Sequence, residues 1–166
     1  GEGAILDIID NLEKGKTLRK IKNLWVKENG KIYKIPVRDL IDDLDSLPYA
    51  DRTLYNKYPL LRNQNLDIFM ASRGCPYNCT FCFNSQYKKL YEKKGKVLRR
   101  RSVSNLIEEI KQTIKANKKI NYIQFHDDNL TLCPKEWVEE FSKEYRKEVY
   151  IPFSASMRAG EVNEEV

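Results

Sequence analysis

The sequence predicts an α/β fold with parallel strands, and three observations carry that prediction. From Leu66 onward, short apolar runs alternate with longer segments of helical periodicity, which is typical of successive βαβ units. An Asn-Gly pair at 29–30 separates two β-prone runs and indicates a hairpin ahead of this region. Three cysteines fall within residues 75–82, and such clustering favours a metal site over a disulfide framework.

The first 65 residues are predicted to form a helix, a hairpin and a linker. Apolar side chains at helical spacing predict a helix over 4–14, and Gly15 follows where a left-handed cap would lie. The hairpin strands are expected at 24–26 and 32–35. Residues 39–65 show little periodicity, so they predict an extended linker.

The remaining residues, 66–166, are predicted to form the first half of a barrel. The predicted strands cover 67–72, 120–126 and 149–155. The predicted helices cover 99–117 and 134–146. Ser102 is the expected N-cap of the first of these helices, and a proline opens the second. Ligands of parallel α/β sheets bind at the carboxyl ends of the strands, and the cysteines lie beyond such an end.

Composition places the chain among folded, water-soluble proteins. Its 166 residues are 41% hydrophobic and 33% charged, and no apolar stretch approaches the roughly 20 residues that span a bilayer. We therefore expect a cytoplasmic protein without a membrane partner. The net charge of +6 is weak evidence for an anionic partner. The chain opens at Gly1 without a methionine and closes on 161–166, where the sequence predicts the start of a helix, so we expect a piece of a longer protein.

The cysteine spacing separates two kinds of metal site. Cys75, Cys79 and Cys82 form the pattern Cys-x-x-x-Cys-x-x-Cys on one predicted loop. A structural zinc site needs four ligands, whereas an iron–sulfur cube can take three from one loop and leave one iron open. The alternative is a zinc site with three cysteines, completed by His126 or Cys133.

This motif resembles the signature of the radical S-adenosylmethionine superfamily, Cys-x-x-x-Cys-x-aromatic-Cys, with Phe81 as the aromatic residue. The resemblance implies a partial (β/α) barrel of the TIM type, of which this chain holds the N-terminal part. It also implies that Cys75, Cys79 and Cys82 hold a [4Fe-4S] cluster whose open iron binds S-adenosylmethionine. In the family, one electron cleaves this cofactor to methionine and a 5′-deoxyadenosyl radical. Phe81 would lie beside the adenine.

Shorter segments resemble the subgroup that carries an N-terminal cobalamin-binding domain. They are Gly1-Glu2-Gly3, Leu44-Asp45-Ser46-Leu47-Pro48, Asp51-Arg52, Ser72-Arg73-Gly74-Cys75-Pro76, Arg101-Ser102-Val103 and Asp127-Asp128-Asn129. The resemblance implies that residues 1–65 follow a missing upstream domain and that the whole enzyme catalyses methylation or another carbon-centred modification. The Asp-x-His-x-x-Gly segment for the lower cobalt ligand is absent. Cobalamin is therefore expected only in the full-length protein and not on this chain.

Polar residues at the ends of the second and third strands are candidate cofactor ligands. Asp127 and Asp128 stand where many relatives carry Gly-Gly-Glu, and either carboxylate could bind the methionine ammonium. Alternatively they form an acidic loop before a helix. Arg158 could pair with the methionine carboxylate. His126 reaches the substrate space or completes the strand end, and Cys133 is expected to pack or cap.

The basic run over 88–101 leaves the choice of partner open. Lysines and arginines interleaved with Tyr87 and Tyr91 could contact nucleic acid, could lie on a solvated surface, or could dock a flavodoxin- or ferredoxin-type reductant. A zinc-stabilised basic nucleic-acid-binding module without catalysis is thus the alternative function. The substrate, a small molecule or a macromolecule, is not specified. The strand at 149–155 lacks a following partner, which predicts self-association of this piece.

Overall fold

The computed structural model describes residues 1–161, without the side chains of residues 56 and 62. The helices are α1 (Glu2–Glu13), α2 (Pro59–Arg62), α3 (Asn84–Leu90), α4 (Val103–Ala116) and α5 (Lys135–Glu148). The strands are β1 (Trp25–Glu28), β2 (Lys31–Lys34), β3 (Leu66–Phe69), β4 (Ser72–Arg73), β5 (Arg99–Arg100), β6 (Tyr122–Phe125) and β7 (Phe153–Ala155). The chain divides into two compact units, the first formed by 1–41 and 79–96 and the second by 42–78 and the residues from 97 onward.

The first unit contains the predicted helix and hairpin. Strands β1 and β2 pair antiparallel with Trp25 opposite Lys34, and both turn residues have positive φ, 50° at Asn29 and 76° at Gly30. This is the geometry of a two-residue hairpin turn, which explains the Asn-Gly pair. Helix α1 ends before Gly15, which has a φ of 61° as its cap position requires. The sequence prediction of both elements is confirmed.

A three-stranded parallel sheet forms the centre of the second unit. Its strand order is β3-β6-β7, with Leu66 opposite Tyr122 and Ile123 opposite Phe153. Helix α4 precedes β6 in sequence and α5 precedes β7, and both bury apolar residues against the sheet. The buried cluster includes Phe69, Leu106, Ile110, Ile123, Phe125 and Phe141. This arrangement confirms the predicted α/β fold, and Ser102 caps α4 by accepting from the backbone N–H of Asn105 at 3.2 Å.

Several details differ from the sequence prediction. Residues 99–100, predicted as the start of a helix, form β5, and the helix α3 was not predicted. The third parallel strand begins at Phe153 and not at residue 149, because the preceding helix continues to Glu148. The first strand ends at Phe69, and Ser72 begins a separate antiparallel pair with Arg100. The segment 39–65 is not extended throughout, because it contains a 3-10 helix at Arg52–Lys57 and the short helix α2. Apolar periodicity cannot detect elements of four to six residues, which complete at most two turns.

The division at residue 65 stays a prediction, as does self-association through the edge of β7. Residues 162–166, where the sequence predicts the start of a helix, lie outside the described residues. Within residues 1–161, no helix combines the length and the apolar character needed to cross a bilayer.

Candidate functional site

A glycine opens the cysteine loop because nothing larger fits there. Gly74 follows β4 with a φ of 88°, a conformation that L residues with side chains rarely adopt. A Cβ at this position would lie 2.2 Å from the carbonyl oxygen of Val97, which is backbone and cannot turn away. The fold therefore requires Gly74, and the tight backbone approach determines the direction in which the chain enters Cys75.

All four cysteines are free and partly buried. Cys75 belongs to the second unit, and Cys79 and Cys82 belong to the first. Among residues 1–161, no group of three or more His, Cys, Asp or Glu side chains converges to hold a metal ion. The role of the three motif thiols as iron ligands stays a prediction. As a donor set, three soft thiol ligands on one loop fit an iron–sulfur cluster.

The second half of the cysteine loop forms a turn that offers a donor to sulfur. The N–H of Cys82 donates to the carbonyl oxygen of Cys79 at 3.1 Å. Asn84, buried at the start of α3, places its Nδ2 3.6 Å from the Sγ of Cys82. Sulfur accepts such a hydrogen bond weakly, and the contact places the Asn84 amide beside a predicted iron ligand. Sequence reasoning missed Asn84, which lies two residues beyond the motif.

Asp127 lies at the carboxyl end of the sheet and holds the start of the cysteine loop. Its side chain is 2% exposed, and it accepts hydrogen bonds from the backbone N–H of Ala71, at 3.1 Å, and from the hydroxyl of Ser72. These contacts explain why the chain leaves the β6 ladder after Phe69. The sequence did not indicate this structural use of Asp127. Its binding to a cofactor stays a prediction, as does that of Asp128, which is exposed at the same edge.

A group of polar contacts, which the sequence did not predict, surrounds Tyr77. The Tyr77 hydroxyl donates to the Glu161 carboxylate, and the guanidinium carbon of Arg158 lies 4.0 Å from the centre of the tyrosine ring. Asn129 and Thr131 donate to the other carboxylate oxygen at 2.6 and 3.1 Å. The hydrogen bond from Tyr77, with those from Asn129 and Thr131, lowers the pKa of Glu161 against the opposing effect of burial. The carboxylate is thus ionised at neutral pH.

The other predicted residues lie in simpler surroundings. Phe81, in the first unit, is 92% exposed. His126 is exposed, and its backbone N–H donates to the carbonyl of Phe69. The thiol of Cys133 donates to the Leu130 carbonyl at 3.3 Å, and burial raises its pKa. A thiol that is harder to ionise is a poorer metal ligand, which agrees with the expected packing or capping role of Cys133.

The arginines of the basic run support the fold of the second unit. Arg99 is buried, and Arg100 donates to the carbonyl of Leu132 while its guanidinium lies 4.8 Å from the ring centre of Trp137. Arg101 forms an ion pair with Glu109. These three side chains are engaged in internal contacts, so this part of the run does not form a phosphate-binding surface. In the first unit, the Nζ of Lys94 lies 3.3 Å from Asp39.

A pocket of about 680 Å³ lies in the second unit, away from every predicted site residue. It is bordered by the 49–55 segment, by β3 and by α4, and Tyr49, Tyr55 and Ile68 are among its apolar lining residues. Of its charged lining residues, Arg52 pairs with Glu109 at 2.7 Å and with Asp67 at 3.1 Å, and Asp51 accepts from the backbone N–H of Thr53. No predicted site residue lines the pocket, so it is not part of the candidate site.

Known proteins resemble this chain in sequence. A protein of Pyrococcus horikoshii described as an uncharacterized methyltransferase is 33% identical over 171 residues, which cover 100% of this chain and 35% of that protein. The anaerobic magnesium-protoporphyrin IX monomethyl ester cyclase of Rubrivivax gelatinosus is 21% identical over 98% of this chain and 29% of its own length. The chain thus spans about a third of the length of these relatives.

Structural comparison gives the same fold. The cobalamin-dependent S-adenosylmethionine radical enzyme OxsB, solved with aqua-cobalamin and S-adenosylmethionine bound, matches with a TM-score of 0.71 at 19% identity, over 97% of this chain and 22% of that one. The sequence model of the radical SAM superfamily matches residues 70–166, which contain the cysteine loop, most of the parallel sheet and helices α4 and α5. With that loop placed after the first parallel strand, the chain belongs to the radical SAM superfamily of enzymes.

Proposed function

We propose that this chain is the cofactor-binding part of an enzyme that cleaves S-adenosylmethionine reductively with a [4Fe-4S] cluster. The observation that carries the proposal is the motif Cys75, Cys79 and Cys82, which begins directly after the strand-end glycine Gly74. The superfamily match over 70–166 supports it. The zinc-stabilised nucleic-acid module is less well supported, because the arginines of the basic run are engaged in internal contacts.

Different residues of the chain would bind the cluster and S-adenosylmethionine. Cys75, Cys79 and Cys82 would hold three irons, and the amide of Asn84 would donate a hydrogen bond to the sulfur of Cys82. When bound, the cluster would supply the single electron that breaks a carbon–sulfur bond of S-adenosylmethionine. Asp128 and Arg158 would bind the ammonium and carboxylate of the methionine portion, and Phe81 would lie against the adenine. The electron would come from a flavodoxin- or ferredoxin-type reductant.

For the whole enzyme we propose methyl transfer or another carbon-centred modification of a substrate that is not yet identified. The name of the Pyrococcus horikoshii relative, an uncharacterized methyltransferase, supports this class. Cobalamin would belong to a part of the full-length protein beyond this chain, by analogy with OxsB, a cobalamin-dependent enzyme that shares the fold.

Anaerobic reconstitution with iron and sulfide tests the proposal. We expect a brown chain with broad absorbance near ~400 nm and, with dithionite and S-adenosylmethionine, at least one equivalent of 5′-deoxyadenosine. The same chain should be offered zinc in competition. Stoichiometric zinc uptake without iron would contradict the proposal and favour the alternative module.

Asparagine at Asp128 tests the expected contact with the methionine ammonium. The Asp128→Asn variant should bind S-adenosylmethionine more weakly by about 1.5 to 3 kcal/mol, because a hydrogen bond to a charged group is lost. Its iron content should match the parent. Titration of reconstituted protein with the cofactor measures the change.

The neighbouring Asp127→Asn variant is the matched comparison. Asp127 accepts from Ala71 and Ser72 inside the fold, so this substitution should lower the unfolding temperature of the chain. Equal cofactor affinity of parent and Asp128→Asn would remove Asp128 from the cofactor site.

A further inference from the structure

The segment that follows β7 contacts Tyr77, which lies in the cysteine loop. Tyr77 is the central residue between Cys75 and Cys79. Both its hydroxyl and its ring make contacts with this segment. Its hydroxyl donates to Glu161, and its ring lies under the guanidinium of Arg158 at 4.0 Å. Tyr77 and Glu161 are 84 residues apart, so this contact exists only because the sheet brings the two segments to one edge.

The carboxylate of Glu161 is itself held in place from the neighbouring loop. Asn129, which is 5% exposed, donates its amide at 2.6 Å, and the Thr131 hydroxyl donates at 3.1 Å. Both donors lie in the loop between β6 and α5. The Thr131 hydroxyl shares its one hydrogen with the Asn129 Oδ1 at 2.8 Å, so the Asn129 amide is the main donor that fixes this carboxylate and keeps its other oxygen directed at Tyr77. The contact between Tyr77 and Glu161 is therefore supported by residues from three segments of the chain, and neither side chain is isolated on the surface.

The position of Tyr77 affects the nearby cysteines, because a single residue separates it from a cysteine on each side. Immobilising Tyr77 restricts the backbone of Pro76 and hence the directions in which Cys75 can present its thiol. A loop that is held in one conformation loses less conformational entropy when it binds iron, so the bound state is longer-lived.

We propose that Glu161 is a positioning residue for iron binding, which acts through Tyr77 and holds the part of the cysteine loop that carries Cys75 in the conformation that binds iron. The inference rests on the proposed function, since it assumes that the loop binds a cluster. Arg158 contributes to the same positioning, because its guanidinium lies over the Tyr77 ring and restrains it. These contacts would link the cysteine loop to the segment after β7, which carries the predicted cofactor ligand Arg158.

The test compares Tyr77→Phe and Glu161→Ala with the parent chain after anaerobic reconstitution. Two readouts are used, the rate at which iron passes to a chelator and the electron paramagnetic resonance spectrum of the reduced cluster. Each variant should lose iron about tenfold faster than the parent, the factor that corresponds to one hydrogen bond to a charged group. The double variant should lose iron no faster than Glu161→Ala, because both changes remove the same contact. The spectrum of Tyr77→Phe should broaden or shift.

Matched controls remove similar groups from exposed positions. Tyr150→Phe deletes a hydroxyl from a side chain that is 83% exposed, and Glu140→Ala deletes an exposed carboxylate on α5. Both variants should lose iron at the same rate as the parent. The apo form of Tyr77→Phe should unfold near the parent temperature, which a purely structural role of the hydroxyl would not predict.

The outcomes separate this inference from the function on which it rests. Parent-like iron retention and an unchanged spectrum in Tyr77→Phe would overturn the inference, and so would equally fast iron loss from Tyr150→Phe. If Glu161→Ala does not fold, Tyr77→Phe alone decides, since it leaves the Glu161 contacts with Asn129 and Thr131 in place. A parent chain that takes up no iron would overturn the proposed function and this inference together.

Discussion

Alanine at any one of Cys75, Cys79 and Cys82 is expected to leave the reconstituted chain without a stable cluster. Each substitution removes one of only three protein ligands, and the remaining two thiolates do not satisfy a four-iron cube. Iron and sulfide measured per chain after anaerobic desalting should fall from about four of each to background. This is the largest effect that we expect from any single substitution in the protein.

Cys133→Ala provides the matched control because it removes a thiol of the same chain from outside the motif. The Cys133 thiol donates to the carbonyl of Leu130, and burial raises its pKa, so it is not prepared to bind iron. Iron content should stay at the parent level. Loss of iron from Cys133→Ala together with full iron in the three motif variants would show that the ligand assignment is wrong.

Alanine at Glu109 is expected to reduce the free energy of unfolding by about 3 kcal/mol, because it leaves the largely buried guanidinium of Arg101 without a carboxylate partner. Glu109 lies on α4 and is 6% exposed. Its carboxylate accepts from Arg52 at 2.7 Å and forms an ion pair with Arg101. Without it, Arg52 keeps the carboxylate of Asp67, but Arg101, whose side chain is 12% exposed, loses its ion pair. Urea denaturation of the apo chain at neutral pH measures the loss.

Glu108→Ala is the control for this substitution, since it changes the neighbouring residue of the same helix. Glu108 is exposed and accepts from Gln112 on the next turn, at 2.8 Å, so its loss should cost about 0.5 kcal/mol or less. Equal destabilisation by the two substitutions would contradict the role assigned to the Arg52, Glu109 and Arg101 cluster.

The contribution of Glu109 should also depend on pH in a defined direction. Burial alone would raise the pKa of its carboxyl, but the hydrogen bonds from Arg52 and Arg101 lower it below the ordinary 4.5. The ionised form is therefore favoured more in the folded chain than in the unfolded one. The stabilisation is complete above pH 4.5 and declines as the pH falls through the folded-state pKa. The difference in stability between the parent and Glu109→Gln should shrink in that acidic range.

Local patterns in the sequence predicted the elements that depend on near neighbours. The hairpin follows from Asn29 and Gly30, because both turn positions need positive φ. The cap at Ser102 and the buried stripe of α4 follow from spacing along one helix. The cysteine motif, with Phe81 as its aromatic residue, was likewise enough to indicate the superfamily to which the chain belongs.

Contacts between distant residues decided which polar groups support the fold. Arg52 lies in a segment predicted as an extended linker, yet it binds Glu109, 57 residues away, and Asp67 on the edge strand. Asp127 was a candidate cofactor ligand, and the structure shows its carboxylate bound to Ala71 and Ser72. No spacing rule predicts such pairs, because the partners approach each other only after the parallel sheet has formed.

The sequence by itself thus determined most of the secondary structure, the fold class and the donor atoms offered to a metal. Those properties arise from backbone preferences, apolar periodicity and residue chemistry, which act over a few positions. The tertiary structure decided that Glu161 meets Tyr77 and that three arginines of the basic run turn inward. The physical reason is that a charged or polar side chain that loses water must find a partner, and packing alone determines which partner is within reach.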